Sequence, residues 1–103
     1  MSALTVAEIQ RAVCRHFDIT CAQMISANRK RAIARPRQIA MWLSRTLTNR
    51  SLPDIGCRFG GRDHTTALHA VRRIDALIAE REDVWLAVEA LLAELNQGET
   101  NSG

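Results

Sequence analysis

A pair of adjacent glycines, Gly60 and Gly61, constrains this chain more than any other feature. Glycine takes the left-handed backbone conformation that closes a helix without the penalty a Cβ imposes. Upstream, Ser51 and Asp54 stand in capping spacing, and Pro53 falls in the first turn, where a missing N–H costs nothing. These residues frame a short helix from Ser51 to Arg58 or Phe59. Downstream, Asp63 is a strong N-cap, and Leu68, Val71, Ile74 and Ile78 then recur at intervals of 3, 3 and 4 residues. A short helix, a glycine turn and a longer helix predict a helix-turn-helix from about Ser51 to Glu80.

The rest of the chain also reads as helix. Thr5 and Glu8 have capping-box spacing, and Val6, Ile9, Val13 and Phe17 fall on one face behind them. Thr20 caps a short second helix carrying Met24 and Ile25. Residues Ala27 to Pro36 are too basic for a core element and read as a loop. Pro36 disfavours helical geometry at Arg35 and suits a helix start, so a third helix is expected from about Pro36 to Thr48, burying Ile39, Leu43 and Leu47. A sixth helix, from about Asp83 to Asn96, has Val84, Val88, Leu91 and Leu95 on one face. No stretch alternates with period two. The expectation is an all-α domain of about six helices over residues 5–96, with residues 1–4 and the polar tail 97–103 disordered.

A chain of 103 residues has room for one domain, which can bury about two-thirds of its unfolded surface without a metal or a disulfide. No apolar run approaches the roughly 20 residues a bilayer requires, and no basic-then-apolar leader opens the chain. A cytoplasmic protein with no membrane partner is therefore expected. The three cysteines, Cys14, Cys21 and Cys57, are odd in number and lack metal-ligand spacing. A zinc site completed by His16, His64 or His69 is the functional alternative. Small buried thiols in a reducing compartment is the preferred reading, with no metal and no cofactor.

Charge is distributed unevenly. The formal net charge of +3 conceals a segment from Arg29 to Arg73 with eleven basic residues against Asp54 and Asp63, a local +9. From Ile74 onward Arg81 stands against seven acids, a local −6. A basic middle and an acidic end suit a polyanion-binding surface. In a helix-turn-helix the first residues of the second helix face base edges in the major groove. Here they are Asp63, His64, Thr65 and Thr66. A carboxylate can accept from cytosine N4, threonine can contact a thymine methyl, and histidine can serve a base or a phosphate. Asp63 is also explained as an N-cap, whereas His64 and Thr65 have no comparable packing role. Arg62, Arg72 and Arg73 are placed to reach the sugar–phosphate backbone, and His69 reads as a packed or surface histidine. The basic run Arg29, Lys30, Arg31 is either a solvated loop or an arm for the adjacent minor groove, where A·T tracts concentrate negative potential. The expected partner is double-stranded DNA, in a nucleoid-associated protein.

Three strings carry a family resemblance: Arg31 to Met41 (RAIARPRQIAM), Ser51 to Gly56 (SLPDIG) and Phe59 to Thr66 (FGGRDHTT). They resemble the C-terminal DNA-binding domain, domain IV, of the bacterial replication initiator DnaA family, over about Val6 to Ile78. The resemblance implies a TrpR/DnaA domain IV-like helical fold that binds short, asymmetric, A·T-containing DnaA boxes. It places Arg29 in the minor groove and Pro53, Asp63, His64 and Thr65 on base edges. It places Arg31, Arg37, Gln38, Thr66 and Arg73 on phosphates, and Ser51 and Arg62 complete the expected phosphate set.

Two departures stand out. That family carries an ATPase module ahead of this domain, and this chain has no G-x-x-x-x-G-K-[ST] phosphate loop, so no nucleotide is expected. The acidic, apolar helix at Asp83 to Asn96 is longer and more regular than expected of the family's end. It either caps the domain or offers Trp85, Val88, Leu92 and Leu95 to another chain. The leading expectation is a box-binding regulator of replication initiation or transcription without ATPase activity. A piece of a larger initiator is a second reading, against which the start at Met1 counts. An interaction module working through residues 83–96, with residual DNA binding, is a third. Catalysis finds no support, because adjacent Asp63, His64 and Thr65 point around a helix rather than converging.

Overall fold

Six helices follow one another in the computed structural model, which describes residues 4–101 and, for 97–101, the backbone alone. They are α1 (Val6–Phe17), α2 (Cys21–Ile25), α3 (Arg31–Leu47), α4 (Leu52–Arg58), α5 (His64–Glu80) and α6 (Glu82–Asn101). Among the described residues there is no strand, and no helix is long and apolar enough to cross a membrane.

The helix starts follow local chemistry. Thr5 Oγ1 accepts the Glu8 N–H at 3.1 Å while Glu8 Oε1 accepts the Thr5 N–H at 3.1 Å, a complete capping box. Thr20 and Gln23 repeat the arrangement at α2. Ser51 Oγ accepts the Asp54 N–H at 3.2 Å to open α4, with Pro53 inside its first turn.

The start of α3 differs from expectation. It begins at Arg31, so Pro36 lies within the helix and residues 31–35 are helical rather than loop. Pro36 has no N–H to return to the preceding turn, and it disfavours helical geometry at Arg35. Burial offsets both costs: Ile33 and Pro36 are buried, and Asn28 Oδ1 accepts the Lys30 N–H at 2.9 Å just ahead of the first turn. Tertiary packing thus carries the helix back past the proline.

α3 is the spine of the fold. It packs against α5 on one side and α1 and α2 on the other, while α6 closes the base against α5 and α1. Ile9, Val13, Ile39, Leu43, Ile55, Phe59, Ile74, Val88 and Leu91 lie in one continuous core. The expected stripes of α1 and α6 are there, with Phe17 only half-buried. The stripe of α5 is rotated. Ala67, Ala70, Ile74 and Leu77 are buried, whereas Leu68, Val71 and Ile78 sit at its margins. Small alanines let α5 approach its neighbours closely, a role that a search for large apolar residues passes over. Leu4, expected in a disordered terminus, packs on the core, and α6 runs past its expected end at Asn96. The disorder expected of residues 1–3 and 102–103 lies outside the described residues.

All three cysteines are free, and among the described residues no cluster of His, Cys, Asp or Glu could hold a metal. The buried Cys14 thiol is pushed up to about 11, first by burial and then by the neighbouring Cys21. A thiol raised in the folded state contributes stability that is complete below its unfolded pKa and lost as pH rises through the folded value. Unfolding free energy should therefore fall between about pH 9 and 11, by at most about 1.4 kcal/mol per unit. Denaturant titrations across that window should show the slope in the native chain and not in Cys14→Ala. A flat profile in the native chain would contradict it.

Candidate nucleic-acid interface

The turn between α4 and α5 is packed backbone to backbone. A Cβ on Gly56 would sit 2.3 Å from the Arg62 carbonyl oxygen, so only glycine allows α4 to lie this close to the turn. Gly60 and Gly61 have φ of 84° and 72°, the left-handed region, and the Arg62 N–H donates back to the Gly56 carbonyl at 2.7 Å. α5 is then held on α3 by the Trp42 indole N–H, which donates to Asp75 Oδ1 at 2.7 Å.

This frame projects the start of α5 outward. Asp63, His64, Thr65 and Thr66 are all exposed. Asp63 Oδ1 accepts the Thr65 N–H at 3.4 Å and lies 2.9 Å from His64 Nδ1. The helix N-terminus adds unpaired backbone N–H groups and a positive dipole end, favourable to a nearby anion.

Beside that end, a cleft of about 390 Å³ opens between α3 and α5, with Gln38, Arg62, Thr66, His69 and Arg73 on its walls. Gln38 Oε1 is buried there without a hydrogen-bond partner. An adjoining cleft is lined by Arg29, Gly60, Arg62 and Thr66. The expected minor-groove arginine and the expected phosphate ligands therefore share one surface. Ser51 and Pro53 line neither cleft and stand at the exposed start of α4, where the Ser51 hydroxyl oxygen is already taken by its cap. Arg31 lies exposed in the first turn of α3.

One residue outside the expected set belongs to this surface. His69, expected to be packed or merely exposed, lines the cleft beside Arg73, because α5 is rotated relative to the expected stripe. Arg35, next to the cleft-lining Ala34, lines neither cleft; it is half-buried, and its pKa is lowered by burial first and then by Arg31, Arg73 and Arg81.

Arg37, expected at a phosphate, lines both clefts but is only 5% exposed. Its Nε donates to the Met24 carbonyl at 2.8 Å, one Nη to the Asn28 carbonyl at 2.9 Å and the other to the Gln23 carbonyl at 3.0 Å. Arg62 also turns partly inward, donating to the Phe59 and Ser26 carbonyls. A guanidinium taken out of water needs such acceptors, and the chain ends ahead of α3 supply them.

Comparison with known proteins agrees with this geometry. The family described as the bacterial dnaA protein helix-turn-helix matches residues 6–74. The chromosomal replication initiator protein DnaA of Caulobacter vibrioides is 55% identical over 92 residues, 89% of this chain and 19% of that protein. The same-named protein of Zymomonas mobilis is 54% identical over 91 residues, 88% of this chain and 19% of its own length. That of Rhizobium meliloti is 49% identical over 92 residues, again 89% and 19%. The chain spans about a fifth of the length of the curated relatives it matches. An alignment of 92 residues within 103 includes residues 12–92 wherever it begins. The first half of α6 therefore falls within the aligned stretch, whereas the family match ends at residue 74, before α6.

Proposed function

This chain belongs to the bacterial DnaA helix-turn-helix family, and from that premise we propose that it occupies DnaA-box-like sites on double-stranded DNA and thereby regulates replication initiation or transcription without ATPase activity. The observation that carries the reading is the shared surface: Arg29, Arg62, Thr66 and Arg73 line adjoining clefts beside the exposed N-terminus of α5. Arg29 enters the minor groove while Pro53, Asp63, His64 and Thr65 meet base edges in the major groove. Arg31, Gln38, Ser51, Arg62, Thr66 and Arg73 hold phosphates, joined by His69. His64 Nδ1 lies 2.9 Å from Asp63 Oδ1, which leaves Nε2 the ring nitrogen turned to a base edge. A cytoplasmic, nucleoid-associated protein needing no nucleotide follows.

Fluorescence anisotropy with labelled duplexes tests the reading. A box-bearing duplex should bind more tightly than a scrambled one of equal length, and both more tightly than single strands. Counterion release from about 5 to 7 phosphate contacts should give a log–log salt slope of roughly −4 to −6. Equal binding to box and scrambled duplex, or a slope near zero, would defeat it.

One observation favours a second reading. Trp85 and Leu86 are exposed on α6 at 39% and 51%, beside the buried stripe. Self-association or a protein partner through residues 83–96 would cover them, and the same titration addresses it, since one chain per single box leaves no role for pairing on DNA.

A further inference from the structure

The inward bonds of Arg37 tie the loop that carries Arg29 to α3. The chain between α2 and α3 carries Arg29, and it is gripped from two sides. From α3, the planar Arg37 guanidinium donates to the carbonyls of Gln23, Met24 and Asn28, and reaches Ser26 Oγ at 3.4 Å. From the α4–α5 turn, Arg62 donates to the Ser26 carbonyl with one Nη and to the Phe59 carbonyl with the other. Backbone contact completes the grip: a Cβ on Gly60 would fall 2.2 Å from the Ile25 carbonyl oxygen. Both arginines donate to backbone carbonyls, and the pieces of chain so joined are the α2–α3 loop and the turn that launches α5.

We propose that Arg37 and Arg62 are positioning residues that hold Arg29 at a fixed displacement from the start of α5, so that selectivity at the minor-groove end of a binding site passes through Arg37. The inference rests on the reading above, in which Arg29 enters the minor groove. A minor-groove arm and a major-groove helix read one site only if their spacing matches that of the two grooves. A loop whose Asn28 carbonyl is held by the same rigid fork that grips the Gln23 and Met24 carbonyls of α2 meets that condition. The free loop, with four exposed residues from Ala27 to Lys30, does not. Lysine cannot replace the fork, because a single ammonium is a point donor that cannot span three carbonyls in one plane.

The experiment uses the full chain and three duplexes: one bearing a DnaA box, one with A·T pairs at its minor-groove end replaced by G·C, and one altered under α5. The native chain should discriminate against both altered duplexes. Arg37→Lys keeps the charge, and thermal melting establishes that it folds. It should lose about ten-fold in discrimination at the minor-groove end and keep discrimination under α5, with an unchanged salt slope. Combined with Arg29→Ala it should add little, because both changes remove the same contact. Arg62→Lys, which loosens the loop from the other side, should lose discrimination at the minor-groove end in the same way, whatever it costs all three duplexes in common, and stands in if Arg37→Lys does not fold. The proposal is overturned if Arg37→Lys weakens all three duplexes by similar factors and leaves discrimination at the minor-groove end intact. Full additivity with Arg29→Ala overturns it as well. If the native chain does not distinguish the duplexes, or Arg29→Ala leaves minor-groove discrimination intact, the underlying reading has failed, and that result is visible before any Arg37 variant is measured.

Discussion

Phe59→Ala should remove about 3–5 kcal/mol of stability, the range for truncating a buried phenylalanine. Phe59 has no exposure, caps α4, and takes bonds to the Ile55 and Gly56 carbonyls through its N–H. Its ring lies in the core at the point where α4 gives way to the glycine turn. The void cannot collapse easily, because Gly56 already meets the Arg62 backbone on that side. Against a total of about 5–15 kcal/mol for a domain, the loss is about a fifth or more. Each kcal/mol corresponds to about 4–8 °C in a domain of this size, so the drop in Tm should be tens of degrees. At low temperature the folded remainder should keep the native ratio of box to scrambled binding, since Phe59 contacts no DNA in the proposed arrangement. A Tm within two or three degrees of the native chain would mean that the turn is not built on this ring.

What could be read from the chain beforehand divides along a physical line. The caps at Thr5, Thr20, Ser51 and Asp63 were legible because each closes a bond within three residues of itself. The glycine turn was legible because positive φ selects its residue type. Features settled by contact between distant segments were not. Pro36 argues locally for a helix start, and the burial of Ile33 and Pro36 overrules it. The α5 stripe was drawn through large side chains, but Ala67 and Ala70 face the core because close approach favours small ones. The same division runs through the site. Asp63, His64, Thr65 and Thr66 stand exposed where helix-turn-helix geometry puts them. Arg37 was assigned to a phosphate from its string, yet its acceptors lie up to 14 residues earlier in the chain. His69 joined the cleft only once the rotation of α5 was known.

Thr65→Ala separates reading from positioning. Thr65 is exposed in the first turn of α5, and its side chain takes no part in the Asp63 cap, which uses the Thr65 backbone N–H. Alanine therefore leaves the cap and the buried face of α5 untouched, and it is a better helix former than threonine. Any loss of binding then reports on the hydroxyl and methyl alone. On a box-bearing duplex the loss should be about 1–3 kcal/mol, the worth of a good base contact, and binding to scrambled duplex should barely change. Arg73→Ala is the counterpart. Arg73 lines the cleft between α3 and α5 and is proposed to hold a phosphate, so its loss should weaken both duplexes by similar factors and flatten the salt slope by about one unit. His64→Ala discriminates further: it should follow Thr65→Ala if Nε2 accepts from a base, and Arg73→Ala if the ring serves the backbone. Circular dichroism must first show each variant folded. Should Thr65→Ala weaken box and scrambled duplex equally, α5 is not the reading helix, and the assignment of Asp63 and His64 to base edges falls with it.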